Sequence, residues 1–153
     1  QLRQCGVSGR GGGSACRDRQ RAAQAGDHLM YPDIFQIAKK SSAVTALLGS
    51  NPVRFWPFGT APQGEERPYA VHQLVYGTPA NTLSCPPSED VMGVQVDCYA
   101  KSVSSARSVA AALRDAIEGD FNHVVAWNGE DFEPATGLWR VSFTAEFFVE
   151  RGS

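Results

Sequence analysis

The chain predicts an α+β domain, with one mainly antiparallel or mixed β-sheet of about five strands packed on one face by two or three helices. Three observations carry this. Five segments read as strands, and two of them place apolar residues at every second position. Two other segments repeat apolar residues at helical spacing. The order along the chain is helix, three strands, helix, two strands. A length of 153 residues and 42% apolar composition fits one such domain with a single core.

The first helical segment, YPDIFQIAKKSSAVTALLG, has Pro32 at a favoured first-turn position and Asp33 near the positive end of the helix dipole. Ile34, Ile37, Ala38, Val44 and Leu47 form its apolar stripe, Gly49 ends it, and Ser41-Ser42 is the place where it can divide in two. VRFWPF then reads as a strand that Pro57 confines to an edge or a strand end. A polar loop, GTAPQGEER, leads to the strand PYAVHQLVYG, and a second loop with adjacent prolines, TPANTLSCPPSED, follows it.

VMGVQVDCYA alternates. Met92, Val94, Val96, Cys98 and Ala100 share one face, and Gly93, Gln95, Asp97 and Tyr99 the other. Ser102 reads as an N-cap, after which Val103, Ala106, Ala110, Leu113 and Ile117 recur at helical spacing up to Gly119. NHVVAW is expected to stop at Asn128-Gly129, and GEDFEPATG to form an acidic loop. The final strand, LWRVSFTAEFFVE, has the clearest two-residue period. Trp139, Val141, Phe143, Ala145, Phe147 and Val149 lie on one side of it, with Arg140, Ser142, Thr144 and Glu146 opposite.

Charge divides the chain. Residues 1–29 carry five Arg against two Asp, and the remainder carries nine Lys and Arg against fourteen Asp and Glu, so +3 and −5 make up the net −2. A domain at −5 does not bind nucleic acid through a general cationic field. Residues 1–29 form a basic, Gly-rich leader without apolar periodicity, for which disorder is the default and nativeness is not required. A basic arm touching nucleic acid is the alternative for this leader. The domain is therefore expected over residues 30–151, starting at Met30. No run approaches the ~18–20 apolar residues of a membrane span.

The segment VQVDCYAKSVSSARSVAAAL sets Asp97, Cys98 and Tyr99 side by side, which raises the question of a catalytic site. A nucleophilic cysteine needs a base within reach and surroundings that favour thiolate. Cys98 falls instead on the apolar face of its strand, and Asp97 points the other way. His72, on a neighbouring strand, leaves a Cys–His pair geometrically open, but the reading preferred is a strand-to-helix joint. The four cysteines show no CxxC pair and no ligand spacing with the three histidines, so no zinc site is expected and the thiols read as reduced. GRGGG in the leader is not a phosphate loop, since no strand precedes it and no Gly-Lys-Ser/Thr follows. The acids Glu65, Glu66, Glu89, Asp90, Glu130, Asp131 and Glu133 all read as loop residues. Trp56 and Phe58 are the candidates for a subunit interface, where large aromatics are enriched.

Three segments, ERPYAVHQLVYGTP, VQVDCYAKSVSSARSVAAALRDAI and TGLWRVSFTAEFFVE, occur in this order. Together they resemble the tail-completion, or tail-terminator, family of long-tailed bacteriophages and their prophages, from about Met30 to Arg151. The leader has no counterpart in the family pattern. The resemblance implies a structural protein without catalysis or cofactor. It implies a homo-hexameric ring on the head-proximal end of the tail tube, one that stops tube polymerisation and joins the head. The implied partners are further copies of the chain, the tail tube protein and a head–tail connector or neck protein. DNA passes only as cargo, and no membrane is involved. The place is the virion, after assembly in the host bacterial cytoplasm. On this reading Trp56 and Phe58 face a neighbouring subunit or the tube, and the acids line the lumen or its rims. The alternatives are another connector or tube component on a similar scaffold, and a small hydrolase using Cys98 and His72.

Because the leader has neither an apolar face nor helix caps, removing residues 1–29 should leave solubility, folding and assembly unchanged. Circular dichroism and sedimentation of the shortened and full chains check this.

Overall fold

The computed structural model describes residues 31–151. Its elements are α1 (Ile34–Lys40), α2 (Ser42–Leu48), β1 (Phe55–Pro57), β2 (Tyr69–Pro79), β3 (Glu89–Ala100), α3 (Val103–Gly119), β4 (His123–Glu133) and β5 (Leu138–Glu150). The leader lies outside the described residues.

The strands form one five-stranded sheet in the order β1-β2-β3-β5-β4. β1 pairs parallel to β2 as an edge strand, and every other pairing is antiparallel, so the sheet is mixed but mainly antiparallel. The expected helix does divide. Ser41 leaves the helical region at φ −82°, ψ 119°, and its hydroxyl accepts the Val44 N–H at 3.4 Å, so one serine ends α1 and caps α2. Ser102 caps α3 likewise, accepting from the Ser105 N–H at 3.2 Å.

One apolar face of the sheet meets the helices. Val94, Val96, Cys98 and Ala100 of β3, with Val141, Phe143, Ala145 and Phe147 of β5, pack against Ala106, Val109, Ala110, Leu113 and Ile117 of α3. Ile34, Ala38, Val44 and Leu48 of the two short helices complete that layer. Alanines at 106 and 110 let α3 lie close to the strands, and burial of the larger side chains stabilises the layer by about 1.5–3 kcal/mol each. The expected α3 stripe needs one amendment: Val109 is buried, and Val103 is only half-buried.

The last hairpin departs from expectation. β4 does not stop at Asn128-Gly129 but continues to Glu133, with Glu130, Asp131 and Phe132 paired to Val141, Arg140 and Trp139. The Asn-Gly pair makes a bulge instead of a turn. Asn128 Nδ2 donates to Thr144 Oγ1 at 2.9 Å and Ser142 Oγ at 3.3 Å, while Gly129 takes φ +112°. The reversal comes later, at residues 134–137, where the Gly137 N–H closes on the Glu133 carbonyl at 2.8 Å. Glu89 and Asp90 likewise open β3 and do not belong to the preceding loop.

His72 is a buried base in this core. It is 5% exposed, lies 4.7 Å from the Phe55 ring centroid, and pairs through Nδ1 with the Tyr31 hydroxyl at 2.8 Å. Its Nε2 is buried without a hydrogen-bond partner among the described residues. Burial lowers its pKa from 6.5 to about 4. The unfolded chain therefore takes up a proton between about pH 6.5 and 4 that the folded chain refuses. Stability contributed by neutral His72 is fully present above pH 6.5 and is lost as pH falls toward 4. Thermal midpoints should fall across that window, and His72→Gln should show a flatter pH profile over the same range.

Candidate functional site

Asp97, Cys98 and Tyr99 separate as the alternation requires. Cys98 is fully buried opposite Ala70 and Val141, while Asp97 and Tyr99 project from the face without helices. Burial, with a smaller contribution from the Asp97 charge, pushes the Cys98 thiol far above its usual range. Asp97 accepts from Gln95 Nε2 at 3.1 Å and has no contact with the thiol's face. His72 pairs with Val96 and not with Cys98, and its hydrogen bond goes to Tyr31. These surroundings disfavour the thiolate that a nucleophile needs, so Cys98 packs as a small hydrophobe. Cys85 differs from the reading of reduced thiols, being disulfide-bonded.

The acids fall into two groups at opposite ends of the sheet. Glu65 and Glu66 precede β2, and the row Tyr69, Tyr99, Arg140, Asp131 crosses the sheet just beyond them. Glu133 and Glu65 both act electrostatically on Tyr69 and, with burial as the larger cause, raise its pKa against the opposing Arg67 charge. Glu65, Glu66, Glu130, Asp131 and Glu133 therefore gather at one end. Glu89 and Asp90 lie at the other end, paired to Glu150 and Val149.

The structure corrects the assignment of these acids to loops. Glu130, Asp131 and Glu133 are strand residues of β4, and Glu89 and Asp90 of β3, because the backbone around them is hydrogen-bonded into the sheet. Four of the seven acids have an arginine partner within the chain, Glu66 with Arg54 and Asp131 with Arg140 loosely at 3.7 Å, and Asp90 and Glu130 more tightly. Asp90 is 3% exposed and receives both Nε of Arg151 (2.8 Å) and its NH2 group, which holds the carboxyl below its usual range. Arg107 grips Glu130 through Nε and a second N–H at 2.8 Å, tying α3 to β4 and lowering that carboxyl too. Glu65, Glu66, Glu89, Asp131 and Glu133 remain at least partly exposed.

Of the interface candidates, Phe58 is 64% exposed just after β1. Trp56 is half-buried, with its indole N–H enclosed and unpaired among the described residues. Sequence reasoning missed a larger set. Leu74, Val75 and Tyr76 on β2, and Val125, Trp127, Phe132 and Trp139 on the β4–β5 hairpin, are each roughly 40–50% exposed. Trp139 carried the right face by alternation, but it is left partly exposed and its ring packs on Phe132 at 4.8 Å. Among the described residues no group of three His, Cys, Asp or Glu side chains could hold a metal ion. No described helix is long and apolar enough to cross a membrane.

Two exposed apolar edges point to assembly. The sequence profile described as "Tail completion protein gp17" matches residues 32–150, nearly all of the described chain. The chain belongs to this family. Its role as a tail completion protein is structural, and its place is the phage tail of a virion. Solved structures show the same fold. One chain, titled "Virion of native gene transfer agent (GTA) particle", superposes with a TM-score of 0.53 at 16% identity over 76% of this chain and 91% of that chain. No curated protein sequence matches.

If Cys98 serves the tail completion protein only by packing, Cys98→Ala should cost about 1 kcal/mol and leave tail assembly intact. Cys98→Asp should prevent folding by burying a charge. Urea denaturation and an in vitro tail-joining assay read the two outcomes. A stable Cys98→Ala protein without assembly activity would reject the packing role.

Proposed function

We propose that this tail completion protein forms a homo-hexameric ring on the head-proximal end of the tail tube, where it stops tube polymerisation and presents the surface that joins the filled head. The observation that carries this reading is the family match over residues 32–150. Physical chemistry supports it. An open sheet with apolar residues along both outer strands exposes backbone groups and side chains that self-association covers. A closed ring does so without leaving a growing end.

The chain is not an enzyme on this reading and uses no cofactor. Its partners are its own copies, the tail tube protein and a head–tail connector or neck protein, and DNA passes through the lumen as cargo. Trp56 and Phe58 contribute to a subunit or tube contact. Assembly takes place in the host bacterial cytoplasm.

The two acidic ends of the sheet form the two rims of the ring. Glu65 and Glu133 supply the stronger rim charge, with Glu66, Asp131 and Glu130 beside them paired to Arg54, Arg140 and Arg107. Glu89 supplies the other rim, where Asp90 is neutralised by Arg151. A ring multiplies each local charge by its subunit number, and an acidic collar repels phosphates so that DNA stays mobile.

Electron microscopy of the purified full chain, alone and with tail tubes, tests the ring. Rings capping one tube end are expected, and tubes left bare would overturn the proposal. Changing Glu65, Glu66 and Glu133 together to Lys should leave rings and complete tails but slow or block DNA delivery, scored by infection with complemented particles. Normal infectivity would remove the acids from the DNA path.

A further inference from the structure

We infer that neighbouring copies join through opposite edges of the sheet, the β4 edge of one copy resting on the β1/β2 edge of the next. The inference rests on the ring reading and names the two surfaces that make it.

Each outer strand is uncovered and carries an exposed apolar patch, on β4 at its Val125–Trp127 half. β1 pairs with β2 only from Ala70 to His72, and the Phe58 N–H adds one more bond to the His72 carbonyl. From Gln73 to Pro79 the outer side of β2 has no strand beside it among the described residues, and Leu74, Val75 and Tyr76 stand exposed next to Phe58. At the opposite edge all eleven residues of β4 have β5 on one side and no strand on the other, with Val125 and Trp127 exposed. Neither stretch contains the lysine that natural edges use to discourage pairing.

The two patches are also level with each other. Register rows carry Leu74 through Val94 and Ala145 to Val124, and His72 through Val96 and Phe143 to Trp127. Val125, bulged from β4, therefore sits between the rows of Leu74 and Gln73, and Trp127 at the height of His72, beside which Phe58 is bonded. A copy placed alongside, with no shift along the strands, brings Val125 level with Leu74 and Trp127 level with the end of β1.

Strand direction agrees. β1 and β2 run one way, β3 the other, β5 with β2, and β4 with β3. A β4 edge laid on the β1/β2 edge of the next copy meets it antiparallel, the more stable pairing. The bulges at Val75, Val125 and Asn128 keep any continuous backbone ladder short, so the side chains carry most of the contact. Because the two patches differ, the contact is head-to-tail. Repeated through a rotation it closes into a ring, and strand ends with their acids then face the two mouths.

The test uses two full-length single variants, Trp127→Glu on one edge and Phe58→Glu on the other, with Val125→Glu and Leu74→Glu as second choices on the same edges. All four positions are exposed, so circular dichroism spectra should match those of the unmodified chain. By analytical ultracentrifugation the unmodified chain should sediment as a ring and each variant as a monomer. An equimolar mixture of one variant from each edge should form a dimer and stop there, because each partner retains one intact edge and the two intact edges are complementary. Variants that still form rings would overturn the edge assignment and leave the ring reading standing, as would a mixture that stays monomeric. Single variants that dimerise with themselves would show a two-fold contact and overturn the head-to-tail arrangement. An unmodified chain that remains monomeric, alone and on tail tubes, would overturn both readings.

Discussion

The packing of α3 on the apolar faces of β3 and β5 is the contact on which the rest of the domain depends. β3 is the middle strand of the sheet, and its Val94, Val96 and Cys98 are wholly buried between α3 and the neighbouring strands. The small residues Ala106 and Ala110 let the helix approach, and Leu113 and Ile117 fill the space that remains. Once this layer is set, α1 and α2 have a surface to cover, β2 and β5 have a central strand to pair with, and the alternation of β3 turns Asp97 and Tyr99 away from the core. The adjacency of an acid, a thiol and a phenol is thus a by-product of a strand buried on one side.

A helix layer on one face leaves the edges of the sheet unfinished. One helix of seventeen residues packs on β3 and β5 and only partly on β4, and the short β1 protects only part of β2. Trp127, Phe132 and Trp139 stay partly in solvent, as do Leu74 and Val75. A chain that acted alone would gain by replacing such residues with polar ones. In the proposed ring they would have a use, because association would cover them. The acids divide between the two ends of the sheet, and Asp90 and Glu130 are held by two-point contacts to Arg151 and Arg107.

Much of this fold was legible in the sequence. The order of elements, the break at Ser41, the cap at Ser102, the alternation of β3 and β5 and the edge position of β1 all follow from short-range rules. Those rules depend on backbone sterics and on the two- and 3.6-residue periods. The hairpin was misread because Asn-Gly is both a turn signal and a bulge signal, and only the hydroxyls of Ser142 and Thr144 on β5 decide which. The acids were misread for a related reason, since a charged stretch resembles a loop whenever its pairing partner is distant in sequence. The exposed aromatics of β4 were not legible at all, because alternation tells which face a side chain takes and not whether a helix covers that corner.

By itself the sequence determined the class of fold, the core face of each long strand, the inertness of Cys98 and the likeness to tail completion proteins. These are local or cumulative properties, carried by residue type and spacing. Tertiary structure alone decided that β4 reaches Glu133, that Asp90 and Glu130 are held by Arg151 and Arg107, and that both edges of the sheet present apolar patches at one height. Each of these depends on which residues far apart in the chain meet, and on how far a single helix can extend over five twisted strands.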